Sequence, residues 1–197
     1  LEAMEAAVAR VDIPAFRARQ AAARREGRYL GLGVSVFSER TGYGTPVFAQ
    51  RAMGIVPGYE TVELAMDPSG HVEARIGASP HGQGLKTTLG QIVADEMGVT
   101  PDKVRIVSGD TDTTPYGWGT FASRSIVRSG GATKLAAEAA AGKLRKIAGK
   151  LMEAEAETVT LADGFARVPG TNKAMPIAEL ARAAYHQSQK LGMPAGI

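Results

Sequence analysis

The sequence predicts an α+β fold, with mixed and antiparallel sheets backed by helices, and three observations carry that prediction. Two alternating runs, Glu60–Met66 and His71–Ile76, flank the turn sequence Asp67-Pro68-Ser69-Gly70 and predict an antiparallel hairpin. A strongly helical, Ala-rich stretch extends from about Ser125 to Glu157. Between them lie two glycine-rich loops, each opening into a helix: Ser79-Pro80-His81-Gly82-Gln83-Gly84, and Gly117-Trp118-Gly119-Thr120-Phe121-Ala122-Ser123-Arg124-Ser125.

In chain order, residues 1–28 are Ala- and Arg-rich with helical spacing, and Pro14 divides them into two helical pieces ending near Gly27. Tyr29–Phe37 has strand-type content and alternation. Thr41–Pro57, with three glycines and two prolines, reads as a long loop of the kind that is often functional. The hairpin follows, then a helix from about Gln83 to Met97 stopped by Gly98. Val104–Val107 reads as a strand, and Ser108–Tyr116 as an aperiodic polar loop. On the long helix Leu135, Leu144, Ile147 and Leu151 are assigned to one apolar face, which is expected to pack on a sheet. A strand–turn–strand around Ala162-Asp163-Gly164 and a helix after Met175-Pro176 complete the chain. The domain reading is an N-terminal helical segment, 1–28, and an α+β domain, 29–197.

Composition narrows the function. At 197 residues, 44% hydrophobic and 22% charged, the chain suits an ordinary globular protein with a sizeable core. The net charge of +3 is small, and the basic excess sits in Arg17, Arg19, Arg24, Arg25 and Arg28. No aromatic residues interleave with these arginines to stack bases, so a solvated helix face is preferred to a nucleic-acid patch. There is no cysteine, which excludes disulfides, thiolate nucleophiles and a resident iron–sulfur cluster and fits a cytoplasmic location. No apolar run reaches the roughly 20 residues of a membrane span. The chain opens on Leu1 in mid-helix style, as a piece of something longer would.

A helix N-terminus leaves unpaired N–H groups and about half a positive charge, so two such ends suggest an extended, phosphate-bearing ligand held mostly by backbone. Gly82-Gln83-Gly84 is either a tight turn that needs positive φ or a ligand contact, in which Gln83 presents both a donor and an acceptor. His81 contacts a ligand or caps the loop. Metal binding is disfavoured, because the other two histidines, His71 and His186, stand at no ligand spacing from it. Asp110 and Asp112 read as turn formers, since the EF-hand glycine and glutamate are missing. Ser123 and Ser125 either cap the long helix or hold phosphate with the neighbouring amides, and Arg124 adds a cation if it turns inward. Neither serine has a base nearby in sequence to make it a nucleophile. Walker and Rossmann fingerprints are missing.

Taken together, Ala78–Gly84, Gln91-Ile92-Val93-Ala94-Asp95-Glu96, Gly109-Asp110-Thr111-Asp112 and Gly119–Ser125 resemble the molybdenum hydroxylases, which include xanthine dehydrogenases, aldehyde oxidases and aerobic carbon monoxide dehydrogenases. The His-Gly-Gln-Gly and Gly-Asp-Thr-Asp forms look most like the carbon monoxide dehydrogenase large chain. The resemblance implies a fold like that family's molybdenum-cofactor-binding domain. It also implies that Gly82, Gln83 and Gly84 bind the pterin side of molybdopterin, in bacteria usually as the cytosine dinucleotide, and that Ala122, Ser123 and Ser125 bind the phosphate side. His81 and Thr120 are lesser candidates. The family's catalytic glutamate and its copper-binding cysteine have no counterpart here, so no catalytic or metal-ligating residue is assigned. The implied partners are the remainder of a large subunit and iron–sulfur and FAD subunits or domains. A self-contained module for a phosphate-bearing ligand or a partner protein, without catalysis, is the alternative. A docking domain using the Arg17–Arg28 helix is a third class.

Overall fold

The computed structural model describes residues 2–35, 37–42, 44–52 and 58–197, and they fall into two units that part between Glu39 and Arg40. In the first unit, α1 (Glu2–Val11) and α2 (Ile13–Arg25) are separated by Asp12, whose carboxylate accepts from the Ala15 N–H and caps α2. Pro14 therefore sits in the first turn of α2, where its missing N–H costs nothing. The arginines of α2 face solvent, with Arg19 resting over the Phe16 ring.

The expected strand over Tyr29–Phe37 does not form among the described residues, and Val36 lies outside them. The segment has no ladder partner, which a strand requires to satisfy its backbone, and Tyr29 and Phe37 are 80% and 82% exposed. In the expected loop Thr41–Pro57, a short helix α3 (Thr45–Gln50) forms with Pro46 in its first turn. Tyr43 and residues 53–57 lie outside the described residues.

The second unit is built on the predicted hairpin. Strands β1 (Val62–Met66) and β2 (Val72–Ile76) pair antiparallel with Val62 opposite Ile76 and Met66 opposite Val72. The Asp67 carboxylate accepts from the Ser69 hydroxyl and from the Ser69 and His71 N–H groups, which closes the turn. Those bonds, the hydroxyl's first, hold its carboxyl below the usual aspartate range. From β2 the chain passes through the first glycine loop into α4 (Leu85–Met97), ended by Gly98 in the left-handed conformation, and returns as β3 (Val104–Val107). Strand β3 lies parallel to β2, with Val72 opposite Val104. This β–loop–α–β unit puts the loop at the carboxyl end of β2, the usual place for a ligand in a parallel crossover.

Helix α5 (Ser125–Met152) packs on α4 and β1. Its buried line runs through Ser129, Thr133, Ala137, Ala141, Leu144 and Ala148, and these small residues let α4 approach closely with Leu89, Val93 and Met97. Leu135 departs from the assigned face and is 69% exposed. It stands nine residues before Leu144, two and a half helical turns, and so on the opposite side. A second antiparallel sheet, β4 (Thr160–Ala162), β5 (Phe165–Arg167) and β6 (Ala174–Pro176), leads into α6 (Ile177–His186) and α7 (Ser188–Leu191). Pro176 ends β6 and stands just before α6 rather than in its first turn.

Candidate cofactor-binding site

The two glycine loops meet. The Thr120 hydroxyl donates to the Ser79 carbonyl (2.5 Å), and the Ser125 hydroxyl donates to Thr120 Oγ1 (2.8 Å). This relay joins loops 41 residues apart and leaves a cavity of about 390 Å³ between them. Gln83, Leu85 and Thr88 line it on one side; Thr120, Ser123, Ser125, Ile126 and Val127 line it on the other, and Thr41 completes the wall. Helices α4 and α5 both begin at this cavity, and neither has a cap side chain accepting from its first turn. Their first-turn N–H groups are therefore available to an acceptor, beside the positive ends of two helix dipoles.

The first loop is shaped by backbone freedom. Gly82 and Gly84 have φ of +99° and +79°, and a Cβ at either position would meet nothing within 4 Å. The loop needs glycine for its dihedral angles and not for space. Gln83 does not offer both of its groups outward. Its Oε1 accepts from the His81 N–H (2.5 Å), so the amide nitrogen is what it has left to donate. The His81 ring is exposed, and no group of three His, Cys, Asp or Glu suited to a metal occurs among the described residues.

The second loop is shaped by contact. Ala122 and Ser123, which are not glycines, both adopt left-handed φ (50° and 49°), and Arg124 then returns to the right-handed region. The Arg124 N–H donates to the Phe121 carbonyl (3.2 Å), which closes the turn. Each left-handed residue stores about 1–2 kcal/mol of strain. Arg124 over-determines the turn. It is fully buried, ion-paired with Glu60, donates to Gly119 O (2.9 Å) and Tyr59 O (2.8 Å), and lies over the Phe121 ring at 5.2 Å. Glu60 also accepts from the Trp118 N–H (3.2 Å).

Arg124 does turn inward, the condition set for it, but its charge is spent on Glu60 and it does not line the cavity. Ser125 does not act as the helix cap, which is Arg124; its hydroxyl ties the loops together. Asp110 behaves as a turn former, accepting from the Asp112 N–H through its carboxylate. Sequence reasoning missed Glu60, which carries no local signal because its partner is 64 residues away. It also missed Thr41, which stood in an unresolved loop reading. A larger depression of about 450 Å³, around His71, Asp102 and Lys103, involves neither glycine loop.

Five serine and threonine residues, open helix ends, a Gln83 amide and apolar Leu85 and Ile126 suit a ligand that is part ring and part phosphate. Comparisons with known proteins show the family. The chain is 39% identical over its whole length to the nicotine 6-hydroxylase large subunit of Paenarthrobacter nicotinovorans, of which it covers 24%. It is 36% identical over 95% of its length to the carbon monoxide dehydrogenase large chain of Hydrogenophaga pseudoflava, covering 23% of that protein. Among solved structures, quinoline 2-oxidoreductase from Pseudomonas putida 86 superposes with a TM-score of 0.75 at 40% identity, over 92% of this chain and 23% of that one. The chain spans about a quarter of the length of the relatives it matches. The sequence profile of the molybdopterin cofactor-binding domain matches residues 6–195, and the chain belongs to that family.

Proposed function

We propose that the cavity between the two loops holds the pterin and phosphate parts of a molybdenum cofactor within the large subunit of a molybdenum hydroxylase. The observation that carries this is the convergence of two uncapped helix N-termini, Gln83 and the Ser125–Thr120 relay on one cavity. Gly82 and Gly84 bring backbone N–H groups to the pterin edge, and the Gln83 amide donates to it. Ala122 and Ser123 turn their amides toward phosphate, and the start of α5 adds its dipole. Thr120 and Ser125 fix the spacing of the loops, and His81 contributes through its backbone N–H, which orients Gln83.

When bound, the molybdenum centre supplies the redox and oxygen-transfer chemistry of substrate hydroxylation. This chain's part is to bind and orient it. The catalytic glutamate lies elsewhere in the complete subunit, so the chain alone is inactive. In bacterial members of this family the cofactor usually carries cytosine through a diphosphate, which suits two anion cradles. Electrons leave through iron–sulfur and FAD partners.

Gln83→Ala in the complete subunit is expected to lower molybdenum and pterin content severalfold. Gln83→Glu retains the acceptor for the His81 N–H while replacing the donor with an anionic oxygen, and it is expected to do the same. Unchanged content in both variants would sink the role of Gln83.

A further inference from the structure

Thr41 lies in a segment between Glu39 and α3 that no motif singles out, yet it forms part of the cavity wall beside Gln83 and Ser123. Its neighbour Gly42 is bound to the second loop through its N–H and to α5 through its carbonyl. The Gly42 N–H donates to the Ser123 carbonyl (3.1 Å), and the Gly42 carbonyl accepts from the Arg128 guanidinium (2.8 Å), 86 residues away. Gly42 has a φ of +68°, and a Cβ there would come within 3.1 Å of Val127 Cγ1, so the backbone is pressed against α5. At Gly44 a Cβ would fall 2.6 Å from the same guanidinium, which places Arg128 beside both Gly42 and Gly44. The Thr41 side chain is exposed.

We propose that Thr41 is a further contact for the phosphate part of the ligand, carried on a strap that Arg128 holds against the Ala122–Ser123 turn. This rests on the cofactor reading above. The Thr41 hydroxyl donates to a phosphate oxygen, as the amides of the turn do. Arg128 is a positioning residue. It fixes the Gly42 peptide, whose N–H in turn orients the Ser123 peptide, so the strap and the turn move together.

The test uses the complete large subunit with Thr41→Val, Arg128→Met and Arg128→Lys, and Gln83→Ala as reference. Molybdenum and pterin content are measured on the loaded protein. Inorganic pyrophosphate binding and the unfolding midpoint are measured on the cofactor-free protein. Loss of one hydrogen bond to a charged oxygen predicts about tenfold weaker pyrophosphate binding for Thr41→Val, with an unchanged midpoint. Arg128→Met is expected to weaken it at least as much, and Arg128→Lys, which can still reach one carbonyl, to recover part. If Thr41→Val binds like the parent, the Thr41 contact is wrong, whatever Arg128 does. If Arg128→Met binds like the parent, the strap is not positioned by Arg128. Should Arg128→Met fail to fold, Arg128→Lys decides in its place, parent-like binding in that variant overturning the positioning role. A parent that binds no pyrophosphate, together with full cofactor content in Gln83→Ala, removes the cofactor reading and the strap with it. Reduced content in Gln83→Ala with parent-like Thr41 and Arg128 variants overturns the strap alone.

Discussion

The first glycine loop takes left-handed angles only at glycines; the second takes them at Gly119 and also at two residues that are not glycine. Gly82 and Gly84 take left-handed angles in open space, and the loop is braced by a single internal bond from the His81 N–H to Gln83. In the second loop Gly119 is left-handed too, at φ +74° with open space around it, but so are Ala122 and Ser123, while Gly117 serves another need. A Cβ at Gly117 would come within 2.5 Å of Gly77 Cα, so that glycine permits backbone to cross backbone. One loop is a property of its own residues. The other is imposed by Glu60, Tyr59 and Gly77, which lie 40 or more residues away in sequence. The two should therefore fail in different ways when mutated.

The largest effect is expected at the buried ion pair. Arg124→Met leaves the Glu60 carboxylate buried without its cation, which costs about 3–5 kcal/mol. The double variant Glu60→Leu with Arg124→Met removes both charges and should recover most of that loss, because the desolvation cost disappears with the interaction. Urea unfolding of the single and double variants gives the coupling between the two sites. Additive losses would show that the pair does not brace the loop, and the contrast with the first loop would weaken.

This division also explains what could be read in advance. Alternation along Glu60–Met66 and His71–Ile76 announced the hairpin, and Gly98 announced the end of α4, because both signals are local. The convergence of the loops was inferred from two helix starts, and the Ser79–Thr120 bond supplies its geometry. The parallel pairing of β3 with β2 was not foreseen, since register across a crossover depends on how α4 packs and not on the four residues of β3. Leu135 was assigned to the apolar face, but on a helix this rich in alanine the core is marked by small residues at Ala137, Ala140 and Ala141. Tyr29–Phe37 has the residues of a strand and, among the described residues, no strand beside it to pair with. Arg124 was recognised as a residue whose direction mattered; only the distant Glu60 decides that direction.

A smaller effect is expected in the first loop. Gly84→Ala meets no steric obstacle but must hold a Cβ at φ +79°. That strain costs about 1–2 kcal/mol, and the reduced freedom of the unfolded chain returns roughly 0.5–1 kcal/mol. The net loss of stability should be about 1 kcal/mol, measured by the same unfolding experiment. A much larger loss would mean that contact also shapes the first loop, and the distinction between the loops would narrow.

The smallest effect carries the opposite sign. At Ala122 the strain is already present, so Ala122→Gly should relieve about 1–2 kcal/mol and lose roughly 0.5–1 kcal/mol to unfolded-state entropy. The folded chain should become more stable by up to about 1 kcal/mol. The same change frees the turn to sample other angles, so its amides meet phosphate less well prepared, and the complete subunit should retain less cofactor despite its higher stability. That combination, a firmer fold with a weaker grip, is expected only if the strain at Ala122 is kept for binding. A variant that is destabilised instead would show that the Ala122 methyl contributes more through packing than its backbone angle costs, and the left-handed turn would then be a by-product of the Arg124 brace.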